Sequence, residues 1–273
     1  MSEPELPGQF PAAIISAIRR RLDVARASGV SIAFAIESGS RAWGFPSPDS
    51  DFDCRFVYVR PSADHLALTL HRDVIEFPVT TELDVGGWDL RKALKLALKG
   101  NAVIYEWVCS PIAYEESDGF RGRFAALLEE IIDPKAVAHH YLGLARTQFE
   151  RNMLEAKDVK LKKLFYFVRP LVALRWMQER SFEQLPPMNL EQLLLESPLP
   201  RDITEELNAL LVKKRQTREM GTGAAPQSMM RYFTGLYSDF SEQLPRRAIS
   251  GATAADRFQR AQNYYNRVVG EFS

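Results

Sequence analysis

The sequence predicts an α+β protein, with a small mixed sheet near the N-terminus and a C-terminal helical domain. Short apolar runs rich in β-branched and aromatic residues crowd into the first third of the chain, whereas helical periodicity dominates after about residue 115. The chain has 273 residues, a size at which one hydrophobic core commonly gives way to two. We therefore predict two domains, residues 1–115 and residues 116–273.

One helix and four strands are predicted for residues 11–85 of the first domain. Apolar residues recur at helical spacing over residues 11–28, and Gly29 then ends the helix. The Gly86-Gly87 pair is expected to end the last strand, because glycine weakens a strand interior. Apolar runs bounded by turn residues predict the four strands, which are residues 30–36, 52–59, 74–79 and 82–85.

Helices are predicted for nearly all of the remaining chain. One begins at Asp89, and Asn101 is placed to cap the next. Strong helical periodicity then runs through residues 135–157 and 161–176. Pro170 lies inside the last of these segments and is expected to kink or interrupt it, because proline lacks a backbone N–H group and clashes with the preceding turn.

Composition limits the partners and the compartment. The chain carries 35 basic and 35 acidic residues, so no overall charge draws it to nucleic acid or to an anionic membrane. Cys54 and Cys109 are far apart and form no CxxC pair, which favours a reducing compartment. The N-terminal residues lack a signal-peptide pattern, and no run of about 18 apolar residues follows. We expect a soluble, cytoplasmic protein with no membrane partner.

The most informative segment joins Gly39-Ser40 to Asp51 and Asp53 at the start of a predicted strand. Alternate residues share one face of a strand, so both carboxylates project together. Carboxylate oxygens suit Mg²⁺, which usually completes its coordination with water and substrate phosphates. Gly39 lets the backbone approach a phosphate, and Ser40 adds an N–H group and a hydroxyl. The segment therefore predicts a divalent-cation site beside a triphosphate cradle.

These residues resemble the signature of the DNA polymerase β nucleotidyltransferase superfamily, in which GS is followed, after a spacer, by DxD or ExD on a strand. Four longer strings, in the order in which they occur, resemble the RNA-ligase-associated (RlaP-type) branch of that superfamily. Their resemblance is more specific than that of the GS and DxD motifs alone. The strings read ESGSRAWGFPSPDSDFDCRFVYVRP, GGWDLRKALKLALKGN, EWVCSPIAY and KLKKLFYFVRPLVALRW, and the likeness to the branch covers most of the chain.

The resemblance implies a palm-like nucleotidyltransferase domain, a helical partner domain and an enzyme that moves a nucleoside monophosphate from an NTP, with ATP as one candidate, to a hydroxyl. It implies two Mg²⁺ or Mn²⁺ ions in the NTP complex, held by Asp51, Asp53 and a third carboxylate on a neighbouring strand. Asp84 is the natural third ligand and would also accept the hydroxyl proton. Glu82 has the same strand parity and is the alternative.

The same resemblance favours an RNA end as the acceptor and RNA-repair proteins as partners. A small-molecule or protein acceptor is an alternative, because the superfamily core also serves those reactions. A nucleotide- or RNA-binding module without turnover is a third reading, although Gly39, Ser40, Asp51 and Asp53 are all present.

Other charged residues near the motif have two interpretations each. Arg41 either binds a phosphate or is a solvated loop arginine. Arg55 shares strand parity with the two aspartates, so it either neutralises a carboxylate or contacts a phosphate. Glu37 and Asp49 fit a strand end and a turn, and they are less favoured as metal ligands.

A cationic helix face is predicted in the helical domain. An apolar stripe in KLKKLFYFVRP would leave Lys162, Lys163, Tyr166 and Arg169 on the opposite side. Lys163 and Arg169 are therefore nucleotide-binding candidates, and a solvated helix face is the alternative. Trp43 and Phe45, in the loop after Gly39-Ser40, either stack on a base or anchor that loop.

Overall fold

The computed structural model describes residues 10–69, 71–152, 159–217, 222–223, 225–244 and 251–272. The strands are β1 (Ser31–Glu37), β2 (Phe52–Val59), β3 (Val74–Glu76), β4 (Leu83–Asp89), β5 (Ala113–Glu116), β6 (Val159–Lys160) and β7 (Thr222–Gly223). The helices are α1 (Ala12–Ala27), α2 (Gly39–Ala42), α3 (Ser62–His65), α4 (Leu90–Leu98), α5 (Ala102–Cys109), α6 (Phe120–Ile131), α7 (Pro134–Asn152), α8 (Leu161–Glu179), α9 (Leu190–Glu196), α10 (Arg201–Gln216), α11 (Gln227–Gln243) and α12 (Gly251–Glu271). The α+β class is confirmed. Within the described part of the chain, every helix is too short or too polar to cross a membrane.

Five strands form a mixed sheet in the order β3-β4-β2-β1-β5. β2 and β4 are parallel, and the other neighbouring pairs are antiparallel. On one face, Ile18 and Leu22 of α1 join a buried cluster that includes Phe56 of β2. On the other face, the ring of Phe34 lies 6.0 Å from that of Phe120 in α6. Apolar layers therefore cover both faces of the sheet, whose central strand is β2.

The strand predictions hold best for β2, whose bounds equal the predicted residues 52–59. β3 ends at Glu76, three residues early, because Pro78 has no N–H group for a ladder hydrogen bond. The prediction that Gly86-Gly87 ends a strand was wrong, since β4 continues through both to Asp89. A Cβ atom on Gly87 would lie 2.2 Å from Cε2 of Phe56. The glycine therefore makes room for this ring inside the sheet.

β5 is a strand that the sequence analysis did not predict. It pairs with β1 in antiparallel register, with Ala35 opposite Glu115. Its four residues, AYEE, are too few and too acidic to give a clear alternating pattern. Tyr114 in this strand is buried, and its ring centroid lies 6.0 Å from that of Phe10. β5 thus adds a buried tyrosine next to β1.

Close packing divides the described residues into two compact units. The first takes its members from Met1–Ala42, Asp51–Ile132 and Ile249–Ser273, and the second from Trp43–Ser50 and Asp133–Ala248. Helix α12 belongs to the first unit because it packs on α4 and α6. This grouping differs from the predicted ranges 1–115 and 116–273, which stay a prediction about domains.

The second unit is a helical assembly in which α8 packs on α7, α9 and α11. Phe167 of α8 lies 5.6 Å from Phe149 of α7 and 6.2 Å from Tyr237 of α11, measured between ring centroids. Of the two expectations for Pro170, an interruption is wrong, because α8 continues through this residue from Leu161 to Glu179, whereas a kink stays a prediction. Tertiary packing supplies most of a helix's stability, so α8 tolerates the loss of one backbone hydrogen bond.

Candidate active site

The Gly39-Ser40 pair begins a single helical turn, α2, shortly after β1 ends. Gly39 has a φ of +62°, a conformation that favours glycine. A Cβ atom at this position would lie 2.2 Å from Oδ2 of Asp53, and the backbone N–H of Ser38 donates to the Asp53 carbonyl oxygen at 2.8 Å. Ser40 is buried. The absent side chain therefore permits both the turn and the contact between this turn and the Asp53 carboxylate.

Asp53 and Asp84 are register partners across the parallel pair β2 and β4. Their side chains are 28% and 34% exposed, so both carboxylates are accessible from solvent. Asp51 is exposed and lies two residues before Asp53. Glu82 is also exposed and precedes β4, where its carbonyl oxygen accepts from the backbone N–H of Phe52 at 2.8 Å. The register places Asp84, and not Glu82, beside Asp53.

Arg55 links these two aspartates. Its Nη2 atom lies 2.6 Å from Oδ2 of Asp84 and 3.4 Å from Oδ1 of Asp53. Burial by itself lowers the pKa of the Arg55 guanidinium, but the hydrogen bond and the charge of Asp84 outweigh burial, so the pKa is raised. Of the two sequence-based readings of Arg55, the structure favours carboxylate neutralisation.

Glu37 is a buried carboxylate at the end of β1, two residues before the Gly39-Ser40 turn in sequence. Its Oε2 accepts from the Tyr114 hydroxyl at 2.5 Å, and its Oε1 accepts from the backbone N–H of Asp53 at 3.1 Å. Burial raises the pKa of Glu37 to about 7. The side chain fixes the backbone of Asp53 from inside the protein. Sequence reasoning gave this residue little weight, and the motif itself carries no signal of its burial.

Arg41 is held at the same place and is not a solvated loop arginine. Its Nε atom donates to the Asp51 carbonyl oxygen at 3.3 Å and lies 3.9 Å from Oε1 of Glu37. The guanidinium carbon is 3.9 Å from the centroid of the Phe52 ring, which allows a cation–π contact. The side chain is 11% exposed. Arg41 therefore provides positive charge between Glu37 and the start of β2.

Comparison with known proteins identifies the family. The profile of RlaP, the RNA repair pathway DNA polymerase beta family, matches residues 14–261, which is most of the chain. The chain belongs to the RlaP family. The uncharacterized protein YcgL of Bacillus subtilis (strain 168) is 38% identical to this RlaP chain over 207 residues, which are 76% of this chain and 77% of YcgL. A nucleotidyltransferase-like protein of Exiguobacterium sibiricum 255-15 matches 94% of this chain and 80% of its own, with 12% identity and a TM-score of 0.31, too low to inform the fold.

Because the chain belongs to a polymerase beta family, we ask whether the residues around Asp53 could hold a divalent cation. The donor chemistry fits, because Asp51, Asp53 and Asp84 offer the carboxylate oxygens that Mg²⁺ prefers. In the described ranges, no three His, Cys, Asp or Glu residues already stand in a metal-holding arrangement. The Arg55 guanidinium contacts two of the three aspartates instead. The three carboxylates are the residues that could hold the ion, after a local rearrangement.

Two nucleotide-binding candidates of this RlaP chain lie in the helical unit. Arg169 is only 2% exposed, so its predicted place on an exposed helix face was wrong. Its Nε and Nη2 atoms donate to the Met188 carbonyl oxygen at 3.1 and 2.9 Å, and its guanidinium lies 4.6 Å from the Trp43 ring centroid. Lys163 is exposed, with Nζ 5.7 Å from the ring centroid of Tyr166. The Lys162 side chain lies outside the described residues.

The loop 43–50, which joins the Gly39-Ser40 turn to Asp51 in the RlaP sequence, is anchored in the helical unit. The Phe45 ring is buried and stacks on Phe165 at a centroid distance of 5.4 Å. The buried Lys214 ammonium donates to the Phe45 carbonyl oxygen. The Trp43 carbonyl oxygen accepts from a backbone N–H of α9 at 3.0 Å. Of the two readings of Trp43 and Phe45, these contacts favour the loop anchor.

Proposed function

We propose that this chain transfers a nucleoside monophosphate from an NTP to a hydroxyl group, and that the acceptor is an RNA end. The observation that carries the proposal is the meeting of the Gly39 turn with Asp53, whose register partner is Asp84. Membership in an RNA repair pathway DNA polymerase beta family supports both the chemistry and the choice of RNA. RNA-repair proteins would supply the damaged end or seal it afterwards.

In the proposed reaction, the acceptor hydroxyl oxygen attacks the α-phosphorus of the NTP. The bond from this phosphorus to the bridging oxygen breaks, and pyrophosphate leaves with the bonding electron pair. Bound Mg²⁺ or Mn²⁺ would stabilise charge on the attacking and leaving oxygens. The backbone and hydroxyl of Ser40 would bind the triphosphate. Asp51, Asp53 and Asp84 would serve as metal ligands, and Asp84 would also accept the hydroxyl proton.

The test is a labelling assay on the full chain. The protein is incubated with Mg²⁺ or Mn²⁺, each α-labelled NTP in turn, and RNAs with varied 3′ ends. We expect Asp53→Asn and Asp84→Asn to reduce labelled RNA by at least about 100-fold, because each removes a ligand or a base that acts in the transition state. Matched controls are the exposed acids Asp49→Asn and Glu82→Gln, which should label RNA at close to the wild-type rate.

Each outcome of this assay decides a part of the proposal. Equal losses in Glu82→Gln and Asp84→Asn would contradict the role given to Asp84. Label on a protein or a small molecule, with none on RNA, would keep the transfer chemistry and refute the acceptor. No label anywhere, with NTP binding that survives Asp53→Asn, would refute transfer and favour a binding module.

A further inference from the structure

The pairing of β2 and β4 places two carboxylates directly opposite each other. Like charges at facing positions of a sheet are unfavourable. Arg55 is two residues after Asp53 on β2, so its side chain leaves the sheet on the same face. Its Nη2 atom lies within 3.4 Å of an oxygen of Asp53 and within 2.6 Å of an oxygen of Asp84. The repulsion is therefore relieved by a cation that belongs to the chain itself.

The strand partner of Arg55 has no side chain beside the guanidinium. That partner is Gly86, and a Cβ atom there would lie 3.8 Å from Nη1 of Arg55. A larger side chain at this position would compete with the guanidinium for the same surface of the sheet. Nη1 also donates to the Cys54 carbonyl oxygen at 3.2 Å. Three acceptors thus hold the Arg55 side chain across β2 and β4.

We propose that Arg55 is the built-in counter-cation of this site, which holds Asp53 and Asp84 until a divalent cation displaces it from their carboxylates. The inference rests on the proposed function to the extent that both aspartates serve as metal ligands. The guanidinium stays charged at any physiological pH, so the displacement is a movement of the side chain and not a deprotonation. Removing its charge should therefore strengthen metal binding in the absence of nucleotide.

The experiment measures Mn²⁺ affinity of the nucleotide-free full chain, from the electron paramagnetic resonance signal of free Mn²⁺. Arg55→Gln is compared with wild type, and Asp53→Asn establishes that the ion binds at this site. We expect Arg55→Gln to bind Mn²⁺ about tenfold more tightly, since a unit charge about 5 Å from a divalent ion contributes at least this much even at the dielectric constant of water.

Arg60→Gln is the matched control. Arg60 is also partly buried and paired with two aspartates, Asp64 and Asp89, but it follows the other end of β2. The substitution removes the same charge roughly 16 Å away along the strand, where salt screens its effect. We expect its Mn²⁺ affinity to stay within about twofold of wild type.

The outcomes separate this inference from the proposed function. Unchanged or weaker Mn²⁺ binding by Arg55→Gln overturns the counter-cation role. An absence of Mn²⁺ binding in both wild type and Arg55→Gln also overturns it. Both conclusions hold whatever the labelling assay gives. Tighter binding without nucleotidyl transfer would uphold the counter-cation role and refute the function. If Arg55→Gln does not fold by circular dichroism, the wild-type Arg55 guanidinium ¹⁵N resonances decide. A saturable shift on Mg²⁺ addition supports displacement, and unshifted resonances refute it.

Discussion

The contact between Gly39 and Asp53 gives the sharpest test of the site geometry, through the substitution Gly39→Ala. The new methyl group would lie 2.2 Å from Oδ2 and 3.1 Å from Cγ of Asp53, and the backbone would keep a φ of +62°. Gly29→Ala is the matched control. Gly29 also has a positive φ, +87°, but nothing lies within 4 Å of a Cβ atom there. The two variants share backbone strain and differ in the clash with Asp53.

The expected magnitude follows from these two contributions. A residue other than glycine at positive φ costs about 1–2 kcal/mol, so Gly29→Ala should lower the free energy of unfolding by that amount. In Gly39→Ala the Asp53 carboxylate must also leave its rotamer, which costs about 1 kcal/mol more. We expect a total of about 2–3 kcal/mol for Gly39→Ala. The displaced carboxylate should also weaken Mn²⁺ binding in Gly39→Ala alone.

The assay is urea denaturation of both variants and of a double-mutant cycle with Asp53→Ala. Once Asp53 is alanine, the two atoms nearest to the methyl group introduced at position 39 are gone, and the remaining Cβ atom is 3.5 Å away, which is ordinary van der Waals distance. Gly39→Ala should then cost only about 1–2 kcal/mol in the Asp53→Ala background, the value for backbone strain.

Two results would refute this reasoning. If Gly39→Ala and Gly29→Ala lower the free energy of unfolding equally, the Asp53 carboxylate does not lie against Gly39. If the cost of Gly39→Ala is the same with and without Asp53→Ala, the strain comes from the backbone alone. In either case the approach of the Gly39-Ser40 turn to β2 would have to be revised.

Two further predictions concern buried charges. Burial raises the folded-state pKa of Glu37 to about 7, from an ordinary value of 4.5, so the contribution of Glu37 to stability is complete below about pH 4.5 and is lost as the pH rises through 7. Glu37→Gln should flatten the fall in unfolding free energy between pH 5 and 7, measured by urea denaturation at each pH. The exposed control Glu82→Gln should leave this fall unchanged. If Glu82→Gln flattens it as well, the pH dependence does not come from Glu37. Lys214→Met should lower the unfolding free energy by about 1–3 kcal/mol, because the buried carbonyl of Phe45 loses its Lys214 donor. The exposed neighbour Lys213→Met should change it by less than about 0.5 kcal/mol, and equal effects in thermal or urea unfolding would show that the Lys214 contact is not stabilising.

The helix starts show what local sequence can predict. Asp89 and Asn101 cap α4 and α5, with side chains that accept from the N–H groups of Arg91 at 2.7 Å and Val103 at 2.8 Å. A cap involves residues two positions apart, so the sequence near it carries the whole signal. The bounds of β2 were predicted for the same reason, because turn residues and an apolar run meet at its start.

Burial was harder to predict where an element is covered on several sides. Helical periodicity put Arg169 on an exposed face, yet Phe167, Val168, Arg169 and Pro170 are all buried in α8. The helix packs on α7, α9 and α11, so no continuous face is left to solvent in this stretch. The burial of Glu37 depends partly on Tyr114, which is 77 residues away in a strand that the pattern did not predict.

The sequence by itself determined the α+β class, the family resemblance and the local motif of Gly39, Ser40, Asp51 and Asp53, because each depends on composition or on residues close together in the chain. The tertiary structure decided that Asp84 lies beside Asp53 and that Arg55 joins them. Strand parity allowed Glu82 equally. Parity fixes which face a side chain takes, whereas the partner across the sheet is set by register between segments that are distant in sequence.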